Sequence, residues 1–251
     1  MTVVGSGRGV LVTGATSGLG RAVAHRFATE GVPVALVGRS KAALAQVATD
    51  VRDRGARAVT IQADLSATDS LSGLVDRAAS ELGSIGALVN AAGTDVPGPA
   101  EELSLDDWNR VIAVNLTAPF ALAKAVMPGM RADGGGLIIN ISSVAGRRGW
   151  ANASAYCSTK FALTGLTQSL AAEGRADGIR ACVVYPGAMA TNWGTFDPEH
   201  RGDPAGPGEA DPLDALDPAT VADLIAWMAT APGQPVLNEV TVTPLREQGW
   251  P

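Results

Sequence analysis

Short runs of β-branched and other apolar residues alternate with longer amphipathic stretches along almost the whole sequence. The runs are GVLVT, PVALV, AVTIQ, ALVN, GLIINIS, IRACVVY and VLNEVTV. Strands covered on both faces of a parallel sheet have this continuous apolar character, and the stretches between the runs are long enough for helical crossovers. The alternation predicts an α/β fold built on a doubly wound parallel sheet of about seven strands, with helices on both faces.

A single domain over residues 1–251 is expected, because no shift in composition divides the chain before residue 190 and no internal repeat occurs. The exception is GTFDPEHRGDPAGPGEADPLDALDP at 194–218, which is rich in Pro, Gly and Asp. Loops of this length in compact domains usually carry function or lack fixed structure. Because the stretch follows the sixth apolar run, we predict a flexible substrate lid over 188–218. The alternative is a solvated insertion that does not contact ligand.

Composition limits the classes of function. The net charge of −6 argues against a nucleic-acid partner. The two histidines, His25 and His200, have no metal-ligand spacing, so neither a metal site nor a Ser-His-Asp triad is expected. The sequence has no uninterrupted apolar run of about 18 residues and no signal-peptide pattern at its start, which predicts a cytoplasmic protein without a membrane partner.

A glycine-rich turn follows the first apolar run, in VLVTGATSGLG. Glycines let the backbone turn sharply and approach a pyrophosphate closely, and the helical pattern that follows offers free N–H groups and the positive end of its dipole. The turn therefore predicts a Rossmann-type dinucleotide site. Its residues are Gly14, Thr16, Ser17, Gly18, Leu19 and Gly20.

The end of the second apolar run indicates which dinucleotide binds. It reads LVGRS, with Gly38 where NAD sites usually have an acid, and Arg39 next to it. A guanidinium suits the 2′-phosphate of NADP. The pair predicts NADP(H) in preference to NAD(H); the alternative is that Arg39 only solvates the turn.

Tyr156 and Lys160 lie four residues apart in the helical pattern SAYCSTKFALTGL and so share one helix face. A free phenol has a pKa near 10 and is a poor base at neutral pH. A cation about 4 Å away, in a medium of dielectric about 20, contributes about 4 kcal/mol, which is enough to lower the pKa of a phenol by about 3. The pair is a candidate acid/base site. Ser142 and Ser143 end the run LIINIS, where open α/β sheets bind ligands, so one of these hydroxyls is a candidate to hold a substrate oxygen.

Seven motifs together resemble the short-chain dehydrogenase/reductase family. They are TGATSGLG, ADL, NAAG, VNLTAPF, NISSVAG, YCSTK and YPGAMAT, in the order and at the spacings of that family. The resemblance implies that Tyr156 is the catalytic acid/base and that Lys160 holds the nicotinamide ribose and lowers the pKa of the tyrosine. It also implies that Ser143 orients the substrate carbonyl, and that Asn115 holds a water linking the lysine to solvent.

The same resemblance implies further cofactor contacts. It places Asp64 and Leu65 at the adenine ring, Asn90, Ala91 and Gly93 along the cofactor groove, and Pro186, Gly187 and Thr191 around the nicotinamide amide. Two alternatives remain open on general grounds. Asn90 could chiefly tie strands together, and Ser142 could be structural, because buried polar side chains commonly serve such roles.

The residues around the expected reaction centre are mostly apolar and include two tryptophans, which suggests a hydrophobic or aromatic carbonyl substrate; the alternative is that the tryptophans are core or interface residues. Arg147 and Arg148 follow the serines, where a guanidinium can hold a carboxylate or phosphate; the alternative is a solvated pair. The candidate substrate residues are Val144, Trp150, Met189 and Trp193, with Ala145, Ala153, Ala188 and Asn192 beside them.

The function predicted is an NADPH-dependent carbonyl reductase, or the reverse alcohol dehydrogenase, on a small molecule, with a role in specialised metabolism left open. A 3-oxoacyl-(acyl-carrier-protein) reductase is an alternative, ranked lower because residues 194–217 hold seven acids against one arginine and would repel an acidic carrier. A regulator that binds NADP without turnover is a second alternative, and isomerisation, dehydration or imine reduction also stay open. The resemblance implies a homotetramer, formed through the helices that carry Asn115 and Tyr156.

Overall fold

The structure of the protein is a computed structural model that describes residues 4, 7–191, 193, 211, 213–231 and 236–247. Most of the predicted lid, and Asn192 and His200 with it, lies outside these described residues. Within them the chain has seven strands. They are β1 (Gly9–Thr13), β2 (Val34–Gly38), β3 (Ala58–Gln62), β4 (Ile85–Asn90), β5 (Gly136–Ile141), β6 (Ile179–Pro186) and β7 (Glu239–Val242).

Helices connect successive strands, as the alternating sequence pattern predicts. Hydrophilic side chains mark several of their starts: Ser40, Ser104 and Asp217 each accept a hydrogen bond from a backbone N–H of the first turn. The helices are α1 (Gly18–Ala28), α2 (Lys41–Asp53), α3 (Leu71–Leu82), α4 (Leu105–Ile112), α5 (Ala118–Ala132), α6 (Ser154–Gly174) and α7 (Pro218–Thr230).

All the strand pairs are parallel, and the strands form one sheet in the order β3-β2-β1-β4-β5-β6-β7. In the centre, Val12 of β1 pairs with Leu36 of β2 on one side and with Val89 of β4 on the other. The prediction of a doubly wound parallel sheet of about seven strands is confirmed.

Alternate residues of each strand enter different layers of the core, because successive side chains of a strand point to opposite faces. Val10 and Val12 of β1 belong to a buried cluster with Phe27 of α1 and Ile225 of α7. Leu11, between them, belongs to the opposite cluster, which includes residues of α3 and α5. Both faces of the sheet are therefore covered, which explains why the strands read as continuous apolar runs.

Helices α4 and α5 run on through a π-helical turn, Ala113–Thr117, as one long helix. Leu105–Ala132 is long and apolar enough, by length and composition alone, to cross a membrane. The sequence rule misses it because polar residues such as Asn115 and Lys124 interrupt the apolar run. The core helix of a globular protein meets the same criterion, and Leu122, Val126 and Met130 of this helix pack in the buried core.

The strand order reverses between β1 and β4, since the chain builds outward from β1 to β3 and then returns to the other side. Open α/β sheets bind their ligands at such a point, outside the carboxyl ends of the strands. The fold thus places the predicted nucleotide turn after β1, the NAAG segment after β4 and the two serines after β5 along one edge of the sheet.

Candidate active site

The glycine turn forms a close-packed cradle between β1 and α1. Gly14 and Gly18 have φ angles of +65° and +49°, in the left-handed region that glycine adopts without a Cβ penalty. At Gly20 a Cβ would lie only 2.3 Å from the main-chain oxygen of Gly14. The turn therefore brings backbone close to backbone, as a phosphate site requires.

The start of α1 also suits an anion. Ser17 at its N-cap makes no side-chain cap hydrogen bond, in contrast to the N-cap residues of α2, α4 and α7. The first N–H groups of a helix have no partner within the helix, and they carry its positive dipole end. The residues present fit the pyrophosphate of a dinucleotide.

A cavity of about 860 Å³ opens along this edge of the sheet. Residues that follow each of the seven strands line it, so the turn, the serines and the Tyr–Lys helix face one volume. The predicted site residues in its lining are Gly14, Thr16, Ser17, Gly18, Leu19, Gly20, Arg39, Asp64, Leu65, Ala91, Gly93, Ser143, Val144, Trp150, Tyr156, Lys160, Pro186, Gly187, Met189, Thr191 and Trp193.

One end of the cavity lies beyond β2 and β3. A Cβ on Gly38 would lie 2.8 Å from the Thr16 Cγ2 atom, so a side chain at this position would require the Thr16 side chain to shift. The Asp64 carboxylate accepts hydrogen bonds from the Ser66 N–H (2.9 Å) and hydroxyl (2.8 Å). These bonds lower the pKa of Asp64, and the nearby charge of Arg39 lowers it further. Arg39 lines this end, where the sequence places a 2′-phosphate.

Tyr156 and Lys160 are both buried on the inner face of α6, with exposed fractions of 8% and 4%. The Lys160 ammonium donates to the main-chain oxygen of Ile141, at the end of β5, over 2.8 Å. It also lies 5.4 Å from the centre of the Tyr156 ring, over its face. The shared helix face predicted from the four-residue spacing is confirmed.

The lowering of the Tyr156 pKa by Lys160 stays a prediction, and burial acts against it in this structure. Burial raises the pKa of Tyr156 well above 10; a hydrogen bond with Ser143 opposes this rise, and the charge of Asp95 adds to it. Burial also lowers the pKa of Lys160 to about 8, against the charge of Asp95. Desolvation penalises the charged form of each group. The phenol is therefore protonated at neutral pH.

The two serines after β5 have different roles. Ser143 accepts a hydrogen bond from the Ala145 N–H (3.1 Å), which fixes its side chain at the start of a short 3₁₀ turn, and it also bonds with Tyr156. The Ser142 hydroxyl donates to the main-chain oxygen of Lys160 over 2.9 Å. Ser142 thus ties β5 to α6, which supports its structural interpretation.

Asn115 lies in the π-helical turn and is buried. Its Oδ1 accepts from the Thr94 N–H (2.8 Å), while its Nδ2 donates to the Thr94 oxygen (2.8 Å) and to the Thr159 hydroxyl (3.2 Å). The side chain therefore clamps the segment after β4, of which Thr94 lines the cavity, onto α6. A π-turn often marks a functional site. The water predicted beside Asn115 stays a prediction.

Asn90 lies outside the cavity lining. Its Nδ2 donates to the Asn140 Oδ1 (2.9 Å), and the Asn140 Nδ2 donates to the Thr167 hydroxyl (2.9 Å). These buried bonds join β4, β5 and α6. The alternative in which Asn90 chiefly ties strands together agrees with this geometry better than direct cofactor binding does.

Sequence reasoning missed Asp95, a carboxylate that is only 6% exposed. Its Oδ1 accepts from the Val96 N–H over 2.8 Å. Its charge acts on both Tyr156 and Lys160, and burial raises its own pKa. The signal available was its position, two residues after the NAAG motif at the carboxyl end of β4.

Glu247 was missed as well, because it comes from the far end of the chain. Its Oε2 accepts from the Ala188 N–H over 2.6 Å and lies where a Cβ on Gly187 would be, which explains the glycine. The neighbouring Arg246 pairs with Asp211 (3.3 Å). Glu247 therefore adds a carboxylate to the cavity lining at the end of β6. No sequence pattern indicates this contact.

The candidate substrate residues are mostly brought together. The rings of Trp193 and Tyr156 are 5.3 Å apart at 40°, and Trp150 and Trp193 are 45% and 46% exposed within the cavity lining. Ala188 also lines the cavity. Ala145 and Ala153 instead pack behind Tyr156 in a small buried cluster.

The chain matches the sequence model of the family described as "short chain dehydrogenase" over residues 8–201. The protein belongs to the short-chain dehydrogenase/reductase family, and it is an NAD(P)-dependent oxidoreductase acting on CH–OH or C=O groups.

Two similar proteins are dehydrogenases of hydroxylated substrates. Cis-4-hydroxycyclohexanecarboxylate dehydrogenase of Sinomonas cyclohexanicum is 40% identical over 73% of this chain and 74% of that protein. D-threitol dehydrogenase of Mycolicibacterium smegmatis is 39% identical over 75% of this chain and 72% of that protein. Among solved structures, a metagenomic short-chain oxidoreductase in complex with NADP is 33% identical, with a TM-score of 0.81 and coverage of 95% and 98%.

Proposed function

We propose that the protein is an NADPH-dependent reductase of a small, hydrophobic cyclic ketone, or the dehydrogenase of the corresponding alcohol. The observation that carries the proposal is the convergence of Tyr156, Ser143 and Lys160 on one cavity with the glycine turn. Trp150 and Trp193 add apolar rings to the lining, and the Trp193 ring contacts the Tyr156 ring. Two groups that can hold a carbonyl oxygen thus lie beside an apolar compartment.

The proposed mechanism assigns one task to each side chain. Ser143, held by its hydrogen bond with the Ala145 N–H, orients the substrate oxygen. Tyr156, whose raised pKa keeps it protonated, donates its proton to that oxygen in reduction. Lys160 is held between Ile141 and Tyr156, where it contributes positive charge. A bound nicotinamide cofactor supplies the hydride chemistry, and the protein supplies position and protonation.

The finer choice of NADP(H) is part of the proposal. It is supported by Arg39 in the cavity lining, by the absence of an acid at Gly38 in the sequence, and by the NADP complex of a similar oxidoreductase. Changing Arg39→Asp is expected to reverse the preference, because a carboxylate repels a 2′-phosphate and accepts from a 2′-hydroxyl. The ratio of kcat/KM for NADPH to that for NADH measures this, and an unchanged ratio contradicts the assignment.

The cyclic substrate class is supported by two kinds of observation. The cavity walls near Tyr156 carry the Trp150 and Trp193 rings, and large flat rings pack well against such walls. Two relatives are named for ring substrates: the cyclohexanecarboxylate dehydrogenase, and a 3beta-hydroxysteroid dehydrogenase of Mediterraneibacter gnavus that is 38% identical.

The direct test is a panel of cyclic ketones and aldehydes, followed through NADPH absorbance. Tyr156→Phe removes only the reacting hydroxyl and is expected to lower kcat by at least about a hundredfold. Tyr185→Phe is the matched control: this second tyrosine is buried, and its hydroxyl bonds to Thr164 (2.9 Å). Activity of Tyr156→Phe within tenfold of the wild type would sink the mechanism. NADPH binding without turnover of any compound would instead favour the regulator.

A homotetramer in the cytoplasm completes the proposal. Phe120 of α5 and Phe161 of α6 are 49% and 46% exposed, on the long helix that carries Asn115 and the helix that carries Tyr156. Association through these two helices would bury both rings. Light scattering is expected to give four times the chain mass, and a monomer mass at working concentration contradicts it.

A further inference from the structure

Two adjacent arginines in the loop after β5 have different surroundings. Arg147 is bonded to Glu239 of β7, and its guanidinium lies 4.2 Å from the centre of the Tyr185 ring. The same Glu239 also accepts from Gln168 of α6 over 2.8 Å. Arg147 is therefore part of a structural cluster that joins α6, β6 and β7, and its charge is neutralised there.

Arg148 lines the cavity that holds Tyr156. Its guanidinium forms no ion pair within the part of the chain that the structure describes. Its backbone is fixed, because the Arg148 N–H donates to Val144 (3.1 Å) in the 3₁₀ turn that begins at Ser143. Arg148 thus lies at the rim of the cavity, with an exposed side chain, on the same short turn as the serine proposed to hold the carbonyl.

The far end of this loop is also fixed. The Gly98 N–H donates to the Asn152 oxygen over 3.0 Å, and Asn152 has a φ of +64°, a left-handed conformation that asparagine tolerates better than most residues. The segment between the two anchors contains Trp150, which lines the cavity beside Arg148. The loop therefore presents one cation and one large apolar ring to the same volume.

Side chains of both charges line the cavity. Glu247 lies at the end of β6, on the Ala188 N–H, and Arg148 follows β5. The positive charge of Arg148 attracts an anionic group on the substrate. A planar guanidinium binds a carboxylate through two parallel hydrogen bonds.

We infer that Arg148 is a substrate-binding residue, and that the substrate is an apolar ring carrying a carboxylate at the end away from the reacting carbonyl. The inference rests on the proposed reductase function of the same site and names its substrate class. In this arrangement Ser143 and Tyr156 hold the carbonyl oxygen, Trp150 and Trp193 cover the ring, and Arg148 holds the carboxylate. Arg148 contributes specificity and takes no part in hydride or proton transfer.

The test compares 4-oxocyclohexanecarboxylate with its methyl ester, which has the same ring and ketone but no charge. In the wild type we expect kcat/KM to be about tenfold higher for the acid, equivalent to about 1.4 kcal/mol. In Arg148→Gln this preference is lost through a higher KM for the acid, while the ester changes less than twofold. Arg147→Gln is the matched control, with the same charge change one residue away, and keeps the preference.

Each outcome decides the inference. Equal kcat/KM for acid and ester in the wild type, or equal loss for both in Arg148→Gln, overturns the carboxylate site and leaves the reductase function standing. If the wild type reduces neither compound, cyclohexanecarboxylate binding is followed by tryptophan fluorescence, since Trp150 and Trp193 line the cavity. A Kd that is tenfold weaker in Arg148→Gln then supports the site without the reaction, and an unchanged Kd overturns it.

Discussion

Lys160 is a buried ammonium, and burying its charge lowers the free energy of unfolding. This penalty decreases when the pH is high enough for the side chain to lose its proton. The side chain is 4% exposed, and burial lowers its pKa from 10.5 to about 8. The gap between these two pKa values corresponds to about 3 kcal/mol of unfolding free energy, since each pKa unit is worth about 1.4 kcal/mol. Replacing Lys160 with Met removes the buried charge while keeping a long apolar side chain.

The sign follows from which state binds more protons. Because the folded pKa of Lys160 lies below the unfolded value, the unfolded chain holds its proton between pH 8 and 10.5 while the folded protein releases it. The free energy of unfolding therefore rises with pH across this window, and the cost is constant below pH 8. Burial raises the pKa values of Cys182 and Tyr156, which lowers stability at higher pH, so the useful range is pH 7.5 to 9.

Urea unfolding of the wild type and Lys160→Met, at pH 7.5 and 9.0 and one protein concentration, measures the effect. The wild type is expected to gain about 1 kcal/mol relative to the variant between the two pH values. The contribution of Cys182, whose pKa does not depend on Lys160, is common to both proteins and cancels. The contribution of Tyr156 is small, because pH 9.0 lies below its pKa in both the unfolded and the folded chain. A difference between the proteins that does not change with pH refutes the assignment of a buried ammonium at Lys160.

Three further perturbations follow from the site. Asp95→Asn keeps the acceptor for the Val96 N–H but removes a charge that raises the pKa of Tyr156. The rate of alcohol oxidation should therefore reach half of its maximum at a lower pH than in the wild type. A pH profile identical to that of the wild type contradicts this. Tyr156 otherwise faces Lys160, Ser143, Cys157 and Trp193, which the variant leaves in place. Asn115→Ala loses two 2.8 Å hydrogen bonds to the Thr94 backbone, which is expected to lower the free energy of unfolding by about 2 kcal/mol in urea. A decrease of less than about 0.5 kcal/mol contradicts the proposed role of Asn115 in holding this segment. Gly20→Ala would place a Cβ 2.3 Å from Gly14 O and should abolish NADPH binding by fluorescence titration; retained binding contradicts the cradle.

The sheet, the nucleotide turn and the Tyr–Lys face could be predicted because their signals are local. A strand needs only its own apolar run, and a helix face needs only a spacing of four residues. The glycine turn runs from the end of β1 into the first residues of α1, and the seven residues 14–20 contain both the motif and its geometry. Long-range packing in this fold then places these local elements at one edge of the sheet.

Contacts between distant segments could not be predicted in this way. Arg147 and Arg148 are identical neighbours in sequence, and only the position of Glu239, 92 residues away from Arg147, distinguishes them. Glu247 reaches Ala188 across 59 residues. Side-chain partners of this kind depend on how elements stack, which a single sequence does not contain.

The pKa of Tyr156 shows a different limit. The sequence predicts a lowered pKa for Tyr156 if a cation lies about 4 Å from the phenol. The degree of burial of the phenol cannot be read from the four-residue spacing. In the structure the ammonium lies over the ring face, 5.4 Å from its centre, and donates to a main-chain oxygen. Desolvation then dominates the pKa of the tyrosine. The two effects have opposite signs, so only the packing around the pair decides which prevails.

The net charge of a chain does not determine which charged ligands its cavity can bind. The chain carries −6 overall, yet its cavity lining holds the cations Arg39, Arg110, Arg148 and Lys160 against the acids Asp64 and Glu247. A cleft lined by one sign of charge attracts small ions of the opposite sign whatever the total charge. The net negative charge that disfavours a nucleic acid is therefore compatible with an anionic dinucleotide and a carboxylate in the cavity. The charged side chains that follow the strands, rather than the total charge, determine which ligands the cavity favours.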